Sequence, residues 1–348
     1  MMKKIFLSIV IVIMTFSSCQ TNKSKSDTDT DTGYWKDTLS IRDTTFMIPT
    51  DTMGLDARLT LPANSHKNPL IIFQSVMDKD LSWGKPPKPY RDLATGLGQQ
   101  GIASLCFDGT VYQYTSRQKD LGGFISAFKL MNQDLDYAFD IAKTLPNIDT
   151  ARIYVLSMGN ILIPEAIQKH PEIKGIIMAS TPARPLMDGM IEMLQTMAKK
   201  DTIWESALKE MESQYANLQK LGTKAFNDSI SARINVMIQN EIQADIFEKI
   251  IHTEWKELKD YALADEMQSL PIPIFILFGR DDISLSQKEF DTWKIKLANK
   301  PQSVCKQYPE LSMLLIAPND SDEKNKSRHV PIYVVNDIAE WINSTNNN

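Results

Sequence analysis

The sequence predicts an α/β domain whose mostly parallel sheet is covered by helices on both faces. Three observations predict it. Short, almost wholly apolar runs, such as LIIF (70–73), IKGIIMAS (173–180) and PIFILF (273–278), suit strands buried on both faces. Amphipathic stretches of helical length separate them, which is the spacing of parallel strands joined by crossovers. Chain-turning residues stand at the joints, among them Pro62, Gly101 and Pro146.

Taken in order, LDARLTLP (55–62) reads as a strand ended by Pro62 and the turn-like ANSHKNP. LIIF is the first fully buried strand. YRDLATGLGQQ (90–100) has helical spacing and leads through Gly101 into the strand IASLCF (102–107). Residues 120–146 form a long helical stretch. RIYVL (152–156) is a strand, NILIPEAIQKH a helix-like run, and IKGIIMAS a strand again. PIFILF and LSMLLIA (311–317) repeat the strand pattern, and DIAEWI (337–342) reads as a closing helix.

Between Ser180 and Ser269 no strong strand signal occurs. Met187, Met190, Ile191, Leu194 and Met197 recur at helical spacing, as do Ile234, Met237, Ile238, Ile242, Ile246 and Ile250. A helical cap inserted at about 183–268 and lying over the sheet is expected. Its methionines either pack cap helices together or line an adaptable apolar pocket.

The N-terminal segment has its own logic. Lys3 and Lys4 precede the apolar run IFLSIVIVIM, and small residues follow, the pattern of an export signal over residues 1–18. The run is short for a membrane span of about 20 residues. Cys19, after Phe16, Ser17 and Ser18, resembles the lipidated cysteine of bacterial lipoproteins. Gln20 rather than Asp after it implies, by that resemblance, an outer-membrane destination. Residues 19–33 then form a polar tether with nothing to bury, and the domain proper spans 34–345. The expected location is the cell envelope, with the membrane contacted through the lipid anchor.

Composition excludes several classes. The formal net charge is −5 and no basic stripe occurs, which argues against nucleic acid as a partner. No CxxC and no histidine pair at ligand spacing occurs among His66, His170, His252 and His329, so no metal site is expected. Gly96, Gly98 and Gly101 lack the strand–turn–helix context of a dinucleotide or phosphate loop, and no cofactor is expected. Cys106 reads as a buried small side chain; its pairing with Cys305 is left open.

Open α/β sheets bind ligands at the carboxyl ends of their strands. The exits here are 74–80, 107–114, 156–160, 179–185 and 278–282, with the segment after Ile316. Ser157 follows RIYVL and precedes a helix-like stretch, the place of a nucleophile elbow.

From about residue 55 to 342 the stretches LTLP…NPLIIF, KPYRDLATGLGQQGIASLCFD, ARIYVLSMGN, IKGIIMASTPARPL, PIPIFILFGRDD, YPEL and DIAEWI run in the order of the α/β-hydrolase family. The chain resembles its exported esterase and dienelactone-hydrolase-like members. The resemblance implies Ser157 as nucleophile, Asp282 of GRDD as the acid with Asp281 as fallback, and an oxyanion hole from the amides of Met158 and Ser75 or Val76. Departures accompany it. Gln74 and Ser75 stand where relatives carry HG, and Val155 replaces the first glycine of G-x-S-x-G in a turn two residues short. YPELSML puts Met313 where relatives place the catalytic histidine. His329 is the only histidine after Asp282, and so the one base in triad order.

Two readings follow. In the first the chain is a catalytically impaired relative acting as a binding or assembly module at the cell envelope, its cleft open to a small apolar, ester or glycan ligand with Trp83, Tyr112 and Tyr114 near the mouth. Alternatively it is an active serine hydrolase of esters, amides or thioesters using Ser157, Asp282 and a relocated His329. A third constellation, Asp108 with Asp281 and Asp282, shares only the property of leaving strand ends.

Overall fold

A computed structural model describes residues 40–51, 54–64, 66–74, 89–116, 124–185, 188–189, 192, 261–282, 285–316 and 329–345. Eight strands form one sheet: β1 (Ile41–Ile48), β2 (Leu55–Pro62), β3 (Asn68–Phe73), β4 (Ala103–Phe107), β5 (Ile148–Met158), β6 (Ile173–Ala179), β7 (Ile274–Gly279) and β8 (Val304–Tyr308). Their order is β1-β2-β4-β3-β5-β6-β7-β8. β1 pairs antiparallel with β2 and β2 with β4, and every later pairing is parallel.

The alternation of strand side chains feeds two cores. Leu70 and Ile72 of β3 and Ile153 and Val155 of β5 point to one face, whereas Ile71, Phe73, Tyr154 and Leu156 point to the other. The first face is covered by α3 (Phe124–Ala142), α4 (Ile163–Lys169), α5 (Leu263–Ser269) and α6 (Gln287–Leu297). The second is covered by α1 (Pro89–Gln99) and α7 (Ile332–Ser344), and a short α2 (Thr110–Ser116) follows β4. Tyr90, Leu93, Ala94 and Leu97 give α1 one apolar stripe, which is why it lies on the sheet. Burying each such Leu or Ile contributes about 1.5–3 kcal/mol.

Two edge elements differ from expectation. Residues 311–316 of LSMLLIA are not a strand: they form a turn and a bend, closed by the Ser312 amide on the Ile316 carbonyl at 2.8 Å. The edge strand is instead VCKQY (304–308), whose Val304 and Lys306 are exposed and whose polarity hid it. At the other edge, β1 buries only its two ends, Ile41 and Ile48, so its sequence carries almost no alternation. Cys106 on β4 and Cys305 on β8 are both free thiols. Five strand spacings, about 24 Å, separate them, far beyond disulfide reach.

Most of the expected cap, the signal, Cys19 and the tether lie outside the described residues. Of the cap, Pro185 bridges to Ala262, and Leu263, Ala264 and Met267 of α5 pack into the first core. Among the described residues no helix is long and apolar enough to cross a membrane, and no cluster of three or more His, Cys, Asp or Glu could hold a metal.

Candidate functional site

Parallel strands β3, β5, β6 and β7 end side by side, so their exits define the site. β5 decides its character. The strand continues two residues past the expected end, through Ser157 and Met158, and stays paired with β6 as far as Met158. Ser157 is therefore a strand residue, fully buried, whose hydroxyl donates to Gln74 Oε1 at 2.6 Å. The turn comes at Gly159, with φ +70. A Cβ added there would meet no described atom within 4 Å. The apparent two-residue shortfall of the turn thus disappears, because the apex is Gly159 and Ser157 lies below it.

Beneath the apex is a neutral hydrogen-bond network. Gln74, at the end of β3, donates its backbone amide to the Leu156 carbonyl at 2.9 Å and its side-chain amide to Asn132 Oδ1 at 3.2 Å. Asn160 Nδ2 donates to the same oxygen at 2.9 Å, and Asn132 Nδ2 donates to the Leu162 carbonyl at 2.8 Å. Asn160 Oδ1 accepts from the Leu162 amide at 2.9 Å. Gln74, Asn132, Ser157 and Asn160 are all buried. These amides fix where the turn leaves the sheet, and no base is among them.

The other exits close around Gly159. Its amide donates to Thr181 Oγ1 at 3.4 Å. Ser180, at the end of β6, has φ 48, uncommon for a residue with a side chain, and donates its hydroxyl to the Met313 carbonyl at 2.8 Å. At the end of β7, a Cβ on Gly279 would lie 2.2 Å from the Leu311 carbonyl oxygen, so only glycine permits the approach of the two segments. Arg280 and Asp281 donate their amides to the Tyr308 and Leu311 carbonyls at 2.9 and 3.1 Å. The turn bearing Asp282 is thereby fastened to the loop bearing Met313, and Asp282 is buried.

His329 takes part in a different arrangement. Its Nδ1 lies 3.0 Å from each carboxylate oxygen of Asp92, in the first turn of α1, and the Val330 amide donates to Asp92 Oδ2 at 3.1 Å. The acid that orients His329 is thus Asp92, which has a role in fixing the approach to α7. Ser157 is bonded to Gln74 and His329 to Asp92. Asp108 leaves β4, four strand spacings or about 19 Å from β7, so it does not share a site with Asp281 and Asp282. Met158 is half-buried at the strand end, and Tyr112 and Tyr114 are half-buried on α2. Ser75, Val76 and Trp83 lie outside the described residues.

Gly159, Asn132, Asn160 and Asp92 were not expected as site residues. Gly159 carried a readable signal, since glycine adopts positive φ without steric penalty. Asn132 and Asp92 carried none, because each sits on a helix whose partners come from distant strands and loops.

No protein-family model matches the chain. Over 300 residues it is 26% identical to esterase EstD of Thermotoga maritima, a match covering 83% of this chain. The match spans 65% of that esterase's length, just under two thirds. Among solved structures, Est1E of Butyrivibrio proteoclasticus superposes with a TM-score of 0.51 at 13% identity, over 87% of this chain and 99% of that one. The Pyrococcus horikoshii acylaminoacyl peptidase gives 0.50 at 10% identity, over 87% and 42% respectively. These likenesses, with the sheet order and flanking helices above, give the chain the α/β-hydrolase fold.

Proposed function

We propose that this α/β-hydrolase-fold chain is catalytically silent and works at the cell envelope as a binding module for a small apolar, ester or glycan ligand, held to the membrane by lipid on Cys19. The observation that carries the reading is the identity of the elbow. Its apex residue, Gly159, has no side chain, and Ser157, two positions before it, is buried in the strand with its hydroxyl given to Gln74. A serine without a base beside it is a weak nucleophile near neutral pH, and Met313 supplies none. The ester class comes from the Thermotoga maritima relative, an esterase by name. The envelope location rests on the export-signal pattern and Cys19.

The test is turnover of short- and medium-chain p-nitrophenyl esters by the full chain in detergent, beside Ser157→Ala and His329→Ala. The expected result is a rate equal to buffer for all three. Turnover that either substitution abolishes, in a protein that still melts cooperatively, would establish the rival reading of an active serine hydrolase.

A further inference from the structure

We propose that a groove at the amino ends of β7 and β8 is a binding site for a small organic carboxylate with an apolar body. It lies at the opposite end of the sheet from the strand exits. β7 is six residues long, so about 20 Å of strand separates the groove from the exit at Gly279. The inference is therefore independent of any chemistry at Ser157 and of the silent reading.

The groove has a volume of about 360 Å³, within the range of small-molecule pockets. Its apolar walls come from Leu270, Ile272 and Pro273 ahead of β7, Ile295 on α6 and Pro301 ahead of β8. Ile272 is buried, whereas Ile295 is 75% exposed, the most of any large apolar side chain among the described residues. A ligand body lying in the groove would cover it.

Two cations and no carboxylate line the groove, namely Lys296 and Lys300. Lys296 is already paired with Asp265. Lys300 donates to the carbonyls of Gln268, at 3.1 Å, and of Leu270, at the carboxyl end of α5. Those bonds satisfy carbonyls left over where a helix ends. They use two of the three ammonium donors, and among the described residues no further acceptor and no carboxylate meets the third. Burial disfavours the charge and holds the Lys300 ammonium below the usual lysine range. A carboxylate in the groove would take the third N–H and supply the counter-charge. A phosphate, with more charge and more acceptors, would leave oxygens against proline and isoleucine.

The rim is held by its own contacts. The Ser303 amide donates to the Lys300 carbonyl at 3.2 Å, closing a turn in which Gln302 has φ 56. That conformation is uncommon for a residue with a side chain, and Trp341 Nε1 secures it by donating to the Gln302 carbonyl at 2.9 Å. Ser303 Oγ accepts from the Ile274 amide at 3.0 Å, which ties the turn to the start of β7. A pocket held this way is preformed, so a ligand has little to reorder on entry.

The test is isothermal titration of the full chain in detergent with phenylpropanoate, its neutral amide and inorganic phosphate, each against a detergent blank. Saturable binding of the carboxylate is expected, about tenfold or more tighter than that of the amide or of phosphate. Lys300→Met keeps the apolar stem and removes the charge, and should weaken binding by about tenfold or more, the worth of one charge-assisted hydrogen bond. Asn299→Phe, at an exposed position on the groove, should abolish binding by filling the space while leaving both lysines in place. The proposal is overturned if the wild type shows no saturable binding, if both variants bind as the wild type does, or if phosphate binds as tightly as the carboxylate. Should Lys300→Met fail to melt cooperatively, Asn299→Phe decides by itself.

Discussion

Two polar knots hold this molecule's strand exits, and they are built on opposite principles. Under the β5 turn, Gln74, Asn132, Ser157 and Asn160 share neutral hydrogen bonds, with no charge and full burial. Where β6 leads into the expected cap, the knot is ionic. Glu289, wholly buried on α6, accepts from the amides of Ala183 and Arg184 at 2.7 and 3.0 Å and from the Arg184 guanidinium at 2.6 and 3.0 Å. Arg184 also pairs with Glu192, which Ser286 and Lys288 reach at 2.6 Å each. Burial pushes the Glu192 carboxyl up, but hydrogen bonds from Arg184, Lys288 and Ser286 outweigh it and hold the group at about 2. A neutral knot loses one bond at a time, whereas the loss of a partner from an ionic knot also unbalances charge in a poorly solvated place.

The largest effect is therefore expected at Glu289. Glu289→Ala should cost about 2–4 kcal/mol, because it removes one of the two carboxylates that pair with the Arg184 guanidinium, Glu192 being the one that stays. It also leaves the Ala183 and Arg184 amides without their acceptor. Urea unfolding checks it. A loss under 1 kcal/mol would mean that the ionic knot is dispensable and the contrast fails.

Asp134 sharpens the comparison, since it carries charge with only neutral donors. It lies two residues beyond Asn132 on α3 and accepts from the Thr110 amide and hydroxyl at 2.7 and 2.6 Å. Burial raises its carboxyl, the Thr110 bonds pull it back, and the group ends at about 6. A raised carboxylate binds its proton more tightly in the folded state than in the unfolded chain. Its stabilising contribution is full below about pH 4 and is lost as pH rises through about 6, a change of at most about 3 kcal/mol. Unfolding free energy measured from pH 4 to pH 7 should fall on this account, and Asp134→Asn should flatten that part of the slope. An identical profile in the variant would remove Asp134 as its source.

How far the sequence disclosed all this depends on how local each signal was. The interior strands were legible because burial on both faces makes their apolar runs unmistakable, as in LIIF and IKGIIMAS. VCKQY was not, since an edge strand half in solvent has no such run. In the site, Asp282 and Met313 were reached by matching neighbouring motifs, and both sit in the fastened exits. Ser157 lies inside the strand because the visible end of an apolar run is not the end of a strand. β5 keeps its pairing two residues longer, which turns the serine inward and brings glycine to the apex. The Asp92–His329 pair is separated by 237 positions and could not be read from either segment alone.

The smallest expected effect discriminates most sharply. Ser157→Ala removes one neutral bond, the 2.6 Å donation to Gln74, and leaves the rest of the knot in place. The cost should be about 1 kcal/mol, the usual net value of such a bond. The sign matters more than the size. Reactive residues are held in strained, destabilised sites, so removing a true nucleophile tends to abolish turnover while leaving stability unchanged or raised. For Ser157 as a strand residue the pattern is reversed, with stability lowered and ester turnover unaltered. Parallel melting and p-nitrophenyl ester assays on the one variant therefore separate a serine that works from a serine that only supports the turn above it.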